Sequence, residues 1–173
     1  AHTVAINIAS VLFILPLSFG LAAATRIGNL VGEKELRKAK YASHIAILIC
    51  LVGAILNTAI ILSFREALVS LYSEDLAVIA IAINLLLFAA IFQIPDGIQI
   101  GALGSLRGYK DTFAPMLMLI LTYWFIALPA GYHLTYYGLL GDALGPAGIW
   151  IGMIAGLTAF ASLIIPRLNY IAN

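Results

Sequence analysis

Charge is what this sequence has least of. Nine Lys+Arg and eight Asp+Glu make up 10% of its 173 residues, against about a quarter in a soluble domain. So few cannot coat a water-facing globule of 18.5 kDa. Hydrophobic residues reach 63% and mean hydropathy is +1.07, which excludes intrinsic disorder, a state of low hydrophobicity and high charge. What remains is a chain whose outer surface faces lipid: an integral membrane protein. Cysteine is almost absent. Cys50 alone permits no internal disulfide and no cysteine metal cluster. Within SHIAILICLVGAIL it reads as a small apolar packing residue. His2, His44 and His133 lack ligand spacing, and there is no HExxH, phosphate loop or nucleophile elbow. A metal site of that kind, a cofactor and an enzyme are therefore not expected. Basic residues follow topology here, so neither is a nucleic-acid partner.

The opening AHTVAIN has no basic segment of the kind that starts a cleavable signal peptide. It enters apolar periodicity at once and without Met, so the chain is expected to be part of a longer polypeptide.

A membrane helix needs about 20 mostly apolar residues, and charges mark the breaks between such runs. Five spans are expected, at about 3–25, 42–64, 77–106, 113–137 and 147–165. Runs such as IAIAINLLLFAAI do not alternate as barrel strands would, so an all-α fold is expected. The first loop carries Arg26, Lys34, Arg37, Lys38 and Lys40, the third Arg107 and Lys110, and the tail Arg167. The second has only Arg65, offset by Glu66, Glu74 and Asp75, and the fourth only the acid Asp142. This alternation places the first loop, the third loop and the C-terminus in the cytoplasm. Tyr41, Tyr72, Tyr136, Tyr137, Trp150 and Tyr170 lie near expected boundaries and suit interfacial belts. EKELRKAK reads as a short amphipathic helix on the cytoplasmic side, an anchor or a lipid-headgroup site.

Small residues recur at every fourth position: Gly20, Ala24, Gly28 and Gly32; Gly97, Gly101 and Ser105; Gly148, Gly152 and Gly156. In lipid, such stripes permit close backbone approach, and intramolecular helix packing is their expected use. Gly28 and Gly32 are expected to end the first helix and turn the chain.

One acid is not in a loop. Asp96 lies roughly 15 Å inside the charged cluster that begins at Arg107, near the middle of a core about 30 Å thick. A carboxylate at that depth costs at least about 2.5 kcal/mol and needs a partner or a water-filled cavity. Pro95 removes a backbone donor beside it and is expected to kink the helix. Gly97 permits close approach to the carbonyls so freed. Proton, Na⁺ and a cationic substrate could then alternate at one carboxyl, or the acid simply pins two helices. Gln93 and Gln99 stand three residues to either side, near one helical face. Asn84 lies more than three turns earlier, and Asn7 and Ser10 share a face of the first span. Each amide alone could equally be an interhelical hydrogen bond.

HTVAINIASVLFILPLSFGLAAATRIGNLVGE resembles the eighth helix of multidrug and toxic compound extrusion (MATE) transporters, NorM-like bacterial branch. LLLFAAIFQIPDGIQIGALGSLRGYKDT resembles their tenth helix and the loop after it. The resemblance implies helices eight to twelve of a twelve-helix transporter with two six-helix lobes, the C-terminal lobe without its first helix. It implies a bacterial inner-membrane protein that exports cationic amphipathic drugs in exchange for Na⁺ or H⁺, by alternating access. Asp96 and Asn7 would form the cation-coupling site. Gln93, Phe92, Gln99 and Asn84 would line the cavity, and Pro95 and Gly97 would form a hinge. Phe92 stands where some members carry Tyr. The N-terminal lobe and the glutamate of helix seven would be further partners. A related flippase for lipid-linked saccharides is the alternative, disfavoured because its pore needs basic residues and no Lys or Arg falls mid-span.

Overall fold

A computed structural model describes residues 2–72, 75–138 and 142–173. Glu74 of the second loop and positions 139–141 of the fourth loop lie outside them. The described residues form α1 (His2–Gly32), α2 (Leu36–Ser70), α3 (Leu76–Gly108), α4 (Phe113–Thr122), a π-helical segment (Tyr123–Ala127), α5 (Leu128–Tyr136) and α6 (Pro146–Ile171). The α4–π–α5 stretch is one continuous helix, so five helices are long and apolar enough to cross a membrane. The fold is all-α and the chain is a multi-pass membrane protein. Leu48, Ile55, Leu56, Trp124 and Phe125 are exposed along the outer faces, where lipid replaces water as the solvent.

α3 is the shared wall, packing against α1, α2 and α6, while α5 and the π segment pack on α6. The small-residue stripes decide how. A Cβ on Gly97 would collide with Ala54 and the Cys50 carbonyl of α2, and one on Gly101 with Ile47. A Cβ on Gly104 would strike the Gly20 backbone, and one on Gly108 would strike Ile27 of α1. Gly148 and Gly152 meet α5 backbone at Thr135 and Gly131, while Gly156 meets Ala127 of the π segment. The stripes therefore serve intramolecular packing. Gly104 and Gly108, which complete the α1-facing row of α3, are additions to the rows read from sequence. Gly28 lies inside α1 rather than ending it; Gly32 ends it, and a Cβ there would meet nothing within 4 Å.

Two readings need correction, and one helix proves longer than the span read in it. EKELRKAK is not a separate helix: Lys34 turns the chain at φ 60° and α2 begins at Leu36. The hydrogen bond from Glu35 N to Leu30 O closes that turn and leaves no room for an independent element. Trp150 is not an interfacial residue but a core one, 2% exposed and clustered with Leu85, Leu86 and Ala89 of α3. α6 also runs past Pro166 to Ile171. Buried Leu168 joins Phe160 and Ile164 beyond the proline, and Arg167 Nε donates to Asp111 Oδ2 at 2.7 Å. Burial and that ion pair hold a turn that proline would otherwise end.

α3 stays continuous across Pro95. The break in helical dihedrals is instead in α2, at Phe64 (φ −118°, ψ 15°), where the second apolar run was expected to stop. The helix resumes because Val69 beyond the break is buried in the same cluster as Ile61 before it. The Arg167–Asp111 pair joins the third loop to the end of α6, and Lys40 Nζ donates to Asn173 Oδ1. The first loop, third loop and C-terminus thus share one side of the bundle.

Gly104 and Gly32 make a controlled comparison. Gly104→Val drives a branched side chain into α1 backbone and should destabilise by about 1–3 kcal/mol or more, whereas Gly32→Ala should fall within about 0.5 kcal/mol of wild type. Thermal unfolding of the two variants in detergent checks the contrast; equal melting points would refute the contact.

Candidate functional site

α3 presents Phe92, Asp96, Gln99 and Leu103 at alternating steps of four, three and four residues, which is one helical stripe. Its neighbours show where that stripe points. Phe92 meets Trp150 of α6 edge-on at 5.7 Å, and Leu103 packs into the cluster holding Met118, Leu119 and Phe160. Asp96 therefore faces α6 and the α4–π–α5 helix, while Gly97 and Gly101 on the adjoining face lock α3 to α2.

Asp96 is 4% exposed. Gln99 Nε2 donates to its Oδ1 at 2.7 Å. Among the described residues its carboxylate makes no ion pair; the two pairs present are Lys38–Glu35 and Arg167–Asp111, both at helix ends. Gln93 is 1% exposed, and the side-chain carbonyl oxygens of Gln93 and Gln99 are buried without a hydrogen donor. One carboxylate and two unpaired amide oxygens thus lie on about two turns of helix. Oxygen donors of this kind suit a hard cation such as Na⁺, and a proton would equally neutralise the acid. Among the described residues no group of three His, Cys, Asp or Glu forms a metal cluster.

The other expected site residues are distributed more widely. Asn7 is exposed on α1 and Asn84 is exposed on α3, about 18 Å from Asp96 along the helix axis. Among the described residues no hydrogen bond joins either amide to Asp96. Phe92 belongs to the Trp150 cluster. Pro95 lies within an unbroken helix and Gly97 serves the contact with α2.

Two residues were missed by sequence reasoning. Tyr123 opens the π segment and its phenol lies within electrostatic reach of Asp96, so a tyrosine approaches the acid from another helix than the one carrying Phe92. The signal was Pro129. It cannot donate a backbone N–H, and just before it the helix widens, with Leu128 N bonding to Tyr123 O. The second residue is Asn57. Pro16 leaves the Leu12 carbonyl of α1 without its helical donor, and Asn57 Nδ2 of α2 supplies one at 2.8 Å. Cys50, fully buried as expected, adds a weak thiol bond to the Pro16 carbonyl at 3.7 Å.

This arrangement, a lone acid in a glycine-packed bundle of membrane helices, has known relatives. The family model described as MatE matches residues 1–133, and the chain belongs to that family. It is 40% identical over 171 residues to "Multidrug resistance protein NorM" of Photobacterium profundum, covering 99% of this chain and 38% of that protein. It is 38% identical to "Multidrug resistance protein MdtK" of Pectobacterium atrosepticum over 98% of this chain and 37% of the relative. The solved structure of the eukaryotic MATE transporter AtDTX14 superposes with a TM-score of 0.88 at 23% identity, covering 98% of this chain and 38% of that one; this likeness is one of fold. The chain thus spans a little over a third of the length of the curated relatives it matches.

The Pro16 rescue predicts a measurable cost. Asn57→Leu keeps the volume but strands the Leu12 carbonyl in an apolar setting, which should cost about 1 kcal/mol. Asn57→Gln, able to donate from a longer arm, should recover part of it. A melting point for Asn57→Leu equal to wild type would show that the carbonyl finds another donor.

Proposed function

We propose that this chain carries the cation-coupling centre of a Na⁺- or H⁺-driven multidrug antiporter, with Asp96 as the group that exchanges its cation. The observation that carries the reading is a buried carboxylate with no cationic side chain beside it and two unpaired amide oxygens flanking it. A permanent partner would hold Asp96 charged and idle, and an apolar shell would hold it protonated. This site instead offers oxygen ligands to an ion that comes and goes. The relatives' names supply the transport class.

In the proposed cycle Asp96 opens to the outside, captures a cation from the inward gradient, and favours the inward-open state once neutralised. A cationic amphipathic drug then binds in competition and leaves on the return. Coupling requires only that cation and drug differ in affinity between the two states. Gln99 orients the carboxylate through its amide N–H, and Gln93 and Gln99 present carbonyl oxygens. Tyr123 adds a polar group from the facing helix. Asn7, exposed on α1, is positioned to act toward parts of the whole transporter outside this chain, together with an N-terminal lobe. The proposed setting is a bacterial inner membrane with the shared loop side in the cytoplasm. The basic side chains stand at helix ends rather than beside Asp96, so no observation favours the saccharide flippase.

The test is full-length transporter in proteoliposomes, with drug export driven in turn by an imposed Na⁺ or pH gradient. Asp96→Asn should lower gradient-driven export by about tenfold or more, the scale of an ordinary coupling free energy, while folding and passive drug binding persist. The gradient to which wild type responds names the ion. Export by Asp96→Asn that still follows either gradient would remove Asp96 from the coupling step.

A further inference from the structure

Away from Asp96, at the loop side of the bundle, α1 and α2 enclose a cavity of about 620 Å³. Its wall changes character along its length. Phe19, Ile45 and Ile49 line the part away from the turn between the helices, Arg37 and Lys38 the part nearest it, and Arg26 and Ile27 lie between. The lining runs from Phe19 to Leu30 of α1 and from Arg37 to Ile49 of α2, roughly 16–18 Å at 1.5 Å rise per residue, close to one leaflet of a hydrocarbon core about 30 Å thick. Phe19, Tyr41, Ile45 and Ile49 are exposed, so the groove opens sideways, toward the space that lipid chains occupy.

The charges are arranged for an anion. Lys38 is held by Glu35 at 3.0 Å, but among the described residues Arg26 and Arg37 have neither ion pair nor side-chain hydrogen bond. No acidic residue lines the cavity; Glu33 borders the adjoining recess on the other side of Arg26. Guanidinium forks suit the geometry of a phosphate and hold it by two parallel hydrogen bonds. A cationic drug would be repelled at this end. A helix from elsewhere in the full-length chain would suit the apolar wall but would leave both arginines unmatched unless it carried an acid there.

We propose that this groove holds one anionic phospholipid, its phosphate between Arg26 and Arg37 and an acyl chain laid along Phe19, Ile45 and Ile49. Tyr41 stands at headgroup level, where an amphipathic ring is favoured. The bound lipid fills the gap between α1 and α2 on the side where α3 does not reach, and completes their packing at that end.

Native mass spectrometry of the full-length protein released from nanodiscs of mixed phosphatidylglycerol and phosphatidylcholine reads occupancy directly. Wild type should retain one phosphatidylglycerol in preference to phosphatidylcholine. Arg26→Gln/Arg37→Gln should weaken that retention roughly tenfold, from the loss of two basic residues near the headgroup, and Arg65→Gln, at the far end of α2, should leave it unchanged. Arg37→Gln alone, at an exposed first turn, gives a smaller loss in the same direction and guards against a double variant that fails to fold. Glycerol 1-phosphate in excess should not displace the lipid, because the chain supplies most of the hold. Four results would overturn the proposal: no phosphatidylglycerol retained by wild type, as when protein covers the groove; equal retention of both lipids; an equal effect of Arg65→Gln; or displacement by glycerol 1-phosphate, which would mark a free-phosphate site.

Discussion

The closeness of α3 to α1 and α2 is the constraint on which the rest of the structure depends. In hydrocarbon there is little hydrophobic force between helices, so contact must come from packing and from polar groups that find one another. Gly97 and Gly101 fix α3 on α2, and Gly104 and Gly108 fix it on α1. Two faces of α3 are thereby committed to backbone contact. The stripe left over carries Phe92, Asp96, Gln99 and Leu103, and it can only look toward α6 and the π segment. The direction in which Asp96 faces follows from where the glycines are, because a helix locked on two sides has no freedom to rotate.

Polar satisfaction follows the same geometry. Pro16 breaks the backbone ladder of α1, and the donor that repairs it comes from α2 at Asn57. Thr58, the next residue, donates to the Ala90 carbonyl of α3 at 2.9 Å. Adjacent side chains of α2 thus reach in two directions and tie three helices at mid-bundle. Four buried side-chain atoms among the described residues lack a partner, His2 Nδ1, Trp150 Nε1 and the amide oxygens of Gln93 and Gln99, and the last two flank Asp96. On the proposed reading, the two oxygens beside the buried acid are the ones that would serve a cation from outside the protein.

Much of the fold was legible because membrane sequences carry few signals and each is strong. Apolar runs gave the helices, basic residues gave the loops that share a side, and the spacing of glycines gave the packed faces. The burial of Asp96, Gln93 and Gln99 on one part of α3 was legible for the same reason, since an acid at that depth is costly. The errors arose where local propensity and tertiary packing disagree. The last apolar run was expected to stop at about 165, but α6 continues to Ile171, with buried Leu168 and the Arg167–Asp111 pair beyond that point. Pro95 lies inside α3 without a non-helical residue beside it. Trp150 lies at the sequence position of an interfacial residue, yet the Phe92 and Leu86 cluster draws it inside. Tyr123 was invisible because the π turn shifts register by one residue and changes which side chain faces α3; no fixed period of 3.6 can anticipate that. The pairing of Asn7 with Asp96 was implied by resemblance alone, and Asn7 is exposed on α1 with no hydrogen bond to Asp96 among the described residues.

The scarcity of charge then bears on the proposed chemistry in a specific way. Arginine and lysine are present, but they stand at helix ends, where the membrane's electrostatics places them. Had one of them reached Asp96, a buried ion pair would have formed, and breaking such a pair by removing a partner costs about 3–5 kcal/mol. A transporter that exchanges cations at this acid would face that cost in every cycle. Gln99 instead offers a neutral donor, which orients the carboxylate without neutralising it, so the group stays open to whichever cation the gradient delivers. On the proposed reading the acid would be tolerated because protons or ions from outside cancel its charge intermittently. On this reading the site needs an absence of fixed positive charge as much as it needs its ligands. Eight of the nine basic residues lie toward the shared loop side and Arg65 toward the opposite end of α2, which keeps that absence intact.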